Sequence, residues 1–140
     1  MNIRGLFVVL IALIVTPALA ENKLWVAAGV DKSLYTASET SRLEVSFVVI
    51  NDGDATVDPE VEGSHLLING KEPEDWSIVI ANGIRAANYR VLPPGGVLEF
   101  NYQLGPRYFA KPGVYTLRWE VGKFRSAEMT FRVLPAPSVK

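Results

Sequence analysis

Asn51, Asp52, Asp54, Asp58 and Glu60 gather oxygen-bearing side chains within ten positions of the chain. Calcium takes roughly six to eight oxygens from a flexible loop, so these residue types suit it. The spacing lacks the D-x-[DN]-x-[DN]-G pattern and its distal glutamate. An acidic turn between strands is therefore expected, with a calcium site at Asp52, Asp54, Asp58 and Glu60 as the alternative. No other cofactor is implied. His65 is the only histidine, and its neighbour Ser64 would point to the opposite face of a strand. That is poor geometry for a serine–histidine pair, so a surface or half-buried imidazole is expected. No catalytic residue is assigned, and the chain is expected not to be an enzyme.

Aromatic side chains are the other candidates. Trp25, Trp76, Tyr35, Tyr89, Tyr108 and Phe109 lie outside the clearest inward-facing sets described below. Such rings stack on sugars or anchor a partner, but in a small sandwich they more often close the ends of the core. Tyr108-Phe109 sits between proline and glycine and is expected to tuck under its loop. Trp76 follows Lys71-Glu72-Pro73-Glu74-Asp75 and is the first aromatic suspected of facing a partner, with Tyr108 and Phe109 next, though burial is the leading expectation for it. Arg85, Arg90, Arg107 and Lys111 form a basic patch only if their loops adjoin; solvated charge is the expectation.

The elements that must position these groups begin after a leader. Met1-Asn2-Ile3-Arg4 carries one positive charge, Leu6 to Val15 is wholly apolar, and Thr16-Pro17-Ala18-Leu19-Ala20 ends in A-x-A. These are the parts of a cleavable secretory signal peptide, here residues 1–20. The apolar run is about ten residues, against about twenty for a bilayer span, so no membrane span is expected after cleavage. Residues 21–140 are then one domain, with Glu21 as the mature N-terminus and a secreted or periplasmic address.

Composition narrows the possibilities further. There is no cysteine. Disulfides, thiolate metal sites, thiol catalysis and lipid attachment at a leader cysteine are all excluded. Fourteen Lys and Arg stand against fifteen Asp and Glu, which argues against a nucleic-acid partner. No Asn-x-Ser/Thr acceptor occurs.

Beyond the leader, short runs of period two are separated by Gly, Pro, Asn and Asp, the pattern of an all-β sandwich. Leu24 to Ala28 is a first strand. In Arg42 to Asn51, Leu43, Val45, Phe47 and Val49 share one face, while the other turns apolar at Val48 and Ile50. Ser64 to Asn69 reads as a strand ending in the tight-turn pair Asn69-Gly70. Trp76 to Ala81 is predicted as another strand and Tyr89 to Leu92 as a short edge strand. Three clear alternations follow: Leu98, Phe100, Tyr102 and Leu104; Tyr115, Leu117, Trp119 and Val121; Ala127, Met129, Phe131 and Val133. Parity of the last two sets predicts a three-residue loop, Gly122-Lys123-Phe124. Trp119 would then face Ala127, Leu117 face Met129, Tyr115 face Phe131, Thr116 face Thr130 and Arg118 face Glu128.

Lys111-Pro112-Gly113-Val114-Tyr115-Thr116-Leu117 resembles the G-x-Y start of strand F in immunoglobulin-like domains. There the tyrosine forms a corner, its hydroxyl bonding upstream backbone, and a cysteine follows two residues later. Leu117 stands in that place here. Leu92-Pro93-Pro94-Gly95, Arg107-Tyr108-Phe109 and Arg125-Ser126-Ala127 fit the same frame. The stretch Leu43 to Leu134 thus resembles bacterial immunoglobulin-like modules of secreted proteins, of the cell-adhesion-related CARDB type or the BsuPI proteinase-inhibitor type. The resemblance implies an immunoglobulin-like antiparallel β-sandwich of seven to eight strands, with Tyr115 as a structural corner. No inhibitor's reactive residues can be matched. The expectation is an exported, non-enzymatic module that binds protein or cell-envelope components through loops or a sheet edge. A secreted proteinase inhibitor and a carbohydrate-binding module are the alternatives.

Overall fold

Leu43, Val45, Phe47 and Val49 are all buried, as their alternation requires. The strand that carries most of them, β3 (Glu44–Asn51), is the middle of a three-stranded sheet. In the computed structural model, which describes residues 23–83 and 85–139, β1 (Leu24–Gly29) and β5 (Val97–Gln103) flank β3, both antiparallel to it. The leader expected over residues 1–20 lies outside the described residues.

A second sheet runs in the order β2 (Leu34–Tyr35), β8 (Met129–Val133), β6 (Gly113–Val121), β4 (His65–Ile68), and β7 (Phe124–Arg125) also pairs with β6. All pairings are antiparallel except β2 with β8. The sheets pack face to face: the Phe47 ring of one lies 5.0 Å from the Trp119 ring of the other, edge to face. Around that contact sit Leu66, Leu98, Leu117, Phe131 and Val133, all buried. The chain is an all-β sandwich, and its strand order is that of the immunoglobulin-like arrangement. Tyr115 makes the expected corner, its hydroxyl donating to the carbonyl of Lys111.

Three expectations fail, each for a physical reason. Trp76 to Ala81 is not a strand but a short helix, α1. Its buried residues are Trp76, Val79 and Ile80, spaced i, i+3 and i+4, which is helical spacing. In six apolar residues that spacing is hard to tell from a buried strand. Tyr89 to Leu92 is not an edge strand either. A 3₁₀ turn covers Ala87–Tyr89, and Leu92 makes a single bridge to Val57 through two backbone bonds of 2.8 and 3.0 Å. The helix and this turn occupy the stretch where a constant-type immunoglobulin sandwich has a strand beside the equivalent of β5.

The last hairpin corrects the third expectation. Val121 faces Phe124 and Glu120 faces Arg125, so the loop is the two residues Gly122-Lys123, with Gly122 at φ +57°. Trp119 faces Ser126, not Ala127: the Ser126 amide donates to the Trp119 carbonyl at 2.8 Å, and the Trp119 amide donates to Ser126 Oγ at 2.9 Å. Farther from the turn, Leu117 faces Met129, Thr116 faces Thr130 and Tyr115 faces Phe131, as expected. The two registers differ by one residue. That residue is absorbed at Ser126 to Glu128, where pairing is interrupted, in the manner of a β-bulge. The bulge turns Ser126 inward and leaves Ala127 exposed. Arg118 reaches Glu120 at 3.2 Å rather than Glu128. By contrast, the Asn69-Gly70 turn forms as expected, with φ of +51° and +77°.

Candidate binding face

The acidic stretch is used by its own backbone. Asn51 is fully buried; its Nδ2 donates to the carbonyls of Ala55 (2.8 Å) and Leu92 (2.9 Å), and its Oδ1 accepts from the Gly53 amide at 3.0 Å. Asp58 Oδ1 accepts from the Glu60 amide at 2.9 Å. Among the described residues no three carboxylate or imidazole groups come together as metal ligands. Asp52, Asp54, Asp58 and Glu60, the calcium alternative, are strung along the turn, and one of their oxygens, Asp58 Oδ1, is already bonded to backbone.

His65 is exposed and pairs with Glu72, Nδ1 to Oε2 at 3.0 Å, whereas Ser64 is buried. The Trp76 indole donates to the Ser64 carbonyl at 2.9 Å. No serine–histidine pair forms.

The aromatic candidates separate sharply. Trp76 is fully buried, its ring 5.6 Å from Phe47, because α1 turns it into the core. Phe109 is fully buried as well, 5.0 Å from both Tyr115 and Phe131. It tucks in, as expected, at the end of a short helical turn, α2 (Gly105–Tyr108). Burial, the leading expectation for both rings, is what the structure has, and it leaves Tyr108 as the one partner candidate of the three with exposed surface. Tyr108 is half-buried and its hydroxyl donates to Asp75 Oδ1 at 2.8 Å, with Arg107 on the other carboxylate oxygen. That bond, ahead of the nearby guanidinium, lowers the Asp75 carboxyl, while burial and then the bond raise the Tyr108 phenol. Tyr108 thus ties α2 to the start of α1.

The arginines do not pool into a patch. Arg85 and Arg90 converge on Glu62, at 3.4 and 3.1 Å, while Arg107 is held by Asp75. Arg85 also lies over the buried Tyr89 ring, 4.2 Å from its centroid, and burial pushes that phenol up to about 12. A cleft of about 400 Å³ opens beside this cluster, lined by Asp58, Glu60, Glu62, Tyr89 and Arg90. The cation on its wall, Arg90, is paired with Glu62.

The surface that stands out lies elsewhere, on the outside of the three-stranded sheet. Trp25 on β1 faces Ile50 on β3, which faces Val97 on β5. Trp25 is 57% exposed and Val97 51%, with Ile50 half-buried between them. Directly opposed side chains on one sheet face are about 5 Å apart at Cβ, so the three form a continuous row. The next row is Ala27, Val48 and Glu99, then Gly29, Ser46 and Asn101, and last Glu44 and Gln103. Two signals in the sequence pointed here: the apolar turn of β3's second face at Val48 and Ile50, and a tryptophan at position 25 outside every inward set. Their juxtaposition needed the register of three strands distant in the chain.

Neither the protein-family models nor the curated proteins give a match to this chain. Fold and surface therefore define it together: an all-β sandwich, free of cysteine, with an exposed apolar row at one end of its three-stranded sheet. Among the described residues no helix is long and apolar enough to cross a membrane.

Proposed function

We propose that the chain is an exported, non-enzymatic binding module, similar to the immunoglobulin-like modules of secreted bacterial proteins, that holds a protein or cell-envelope partner on the outer face of its three-stranded sheet. The row Trp25–Ile50–Val97 carries this reading. An indole held half out of a regular edge strand, with an aliphatic row running away from it across the sheet, is the kind of group that anchors an interface. Its strand is already ordered by pairing, so a partner need not restrain a loose loop. The leader at residues 1–20 supports a secreted or periplasmic setting. A sugar-stacking platform would draw on several exposed coplanar rings, yet of the three tryptophans Trp76 and Trp119 are buried. A protein surface fits the mixed indole and aliphatic row better.

The test is affinity capture from the envelope fraction of the exporting cell, with wild type and Trp25→Asp side by side. Wild type should retain a discrete protein that the variant retains at least about tenfold less. Equal capture by both would refute the assignment to this face. N-terminal sequencing of the exported product should begin at Glu21.

A further inference from the structure

The apolar row occupies only one end of its face. Along β5 the outward positions run Val97, Glu99, Asn101, Gln103, and on β3 they end at Glu44. At about 3.3 Å per residue, Glu99 lies about 7 Å and the Glu44–Gln103 row about 20 Å from the apolar end. Glu44 and Glu99 are exposed, and among the described residues neither takes part in an ion pair. No lysine or arginine occupies an outward position of these three paired strands. The outer face of the other sheet differs: Arg118 and Arg125 both engage Glu120, at 3.2 and 3.6 Å.

We infer that the occupant of this face is a polypeptide that presents apolar side chains beside lysine or arginine. Its apolar part covers Trp25, Ile50 and Val97, and its cations meet Glu99 and Glu44. This deepens the proposed function and rests on it. Unpaired carboxylates at the rim of an apolar surface steer and select a partner more than they hold it. They would repel an acidic polypeptide, and an anionic bilayer would meet them as like charges.

Trp25 supplies the readout, since Trp76 and Trp119 are buried and an emission change reports the exposed indole. Protein purified after export of the full chain is titrated with three synthetic peptides of equal length, alternating Leu-Lys, Leu-Gln and Leu-Glu. Phosphatidylcholine vesicles with and without phosphatidylglycerol complete the series. The Leu-Lys peptide should shift Trp25 emission to the blue and bind about tenfold more tightly than Leu-Gln at low salt. Raising salt to about 0.5 M should shrink that gap to about twofold. Glu44→Gln with Glu99→Gln should close the gap and keep the Leu-Gln affinity, while Trp25→Ser, which lacks the reporting indole and is therefore titrated by calorimetry beside wild type, should lose both peptides. Equal Leu-Lys and Leu-Gln binding that still needs Trp25 overturns the charge complementarity and leaves the face standing. Binding undiminished in Trp25→Ser overturns the face itself. Preference for Leu-Glu or for anionic vesicles, or binding to none of the probes, overturns the partner class.

Discussion

On the outside of the five-stranded sheet, Glu120 is shared by Arg118 and Arg125, His65 meets Glu72, and Thr116 faces Thr130. Its exposed aliphatics, Leu34 and Val114, are kept apart by Arg132 between them. On the outside of the three-stranded sheet, Trp25, Ile50 and Val97 stand side by side in one row across the strands, and among the described residues Glu44 and Glu99 have no ion-pair partner. Both faces back onto the same buried core. The difference teaches that packing does not demand the apolar row: one face intersperses its aliphatics with charged and polar side chains, and the other leaves a continuous apolar row exposed at one end.

The sharpest probe of that contrast compares the two sides of β3. Phe47→Ala, on the inner side, should cost about 3–5 kcal/mol by denaturant unfolding, because a fully buried ring leaves a cavity among Trp76, Phe100 and Trp119. Trp25→Ser, on the outer side, should cost about 1 kcal/mol or less and should remove most acrylamide-quenchable tryptophan emission. Similar costs for the two would mean that the row belongs to the core, and the contrast would collapse. A middle-sized effect is expected within the five-stranded sheet. Ser126→Ala strips the Trp119 amide of its buried acceptor and should cost about 1–3 kcal/mol by the same measurement. The smallest belongs to that sheet's outer face. Arg125→Ala, a largely exposed partner of Glu120, should change stability by less than about 0.5 kcal/mol and leave peptide binding untouched.

Where one face of a strand is apolar and the other polar, the chain announced its own architecture. Leu43 to Val49 and Tyr115 to Val121 are buried at each odd position, and the Tyr115 corner and the Asn69-Gly70 turn stand where their residue types put them. Periodicity failed where it was short. Trp76 to Ala81 has only six residues, too few for period two and period 3.6 to separate, so its helix was not legible. The bulge was hidden for another reason. Parity arguments assume one register per hairpin, and Ser126 to Glu128 breaks that assumption locally. The candidate face was legible only in fragments, since Trp25, Ile50 and Val97 come into one row through pairings across 72 residues of chain (97 − 25).

The bulge also fixes where this chain can change length. Between Ser126, which faces Trp119, and Met129, which faces Leu117, lie two residues opposite one, Arg118. Deleting the exposed Ala127 would leave both flanking pairings in place and set Glu128 directly across from Arg118. A deletion inside a strand normally turns everything beyond it inside out. Here it would convert a kinked hairpin into a regular one, making position 127 a joint at which the sequence can gain or lose a residue without losing its fold.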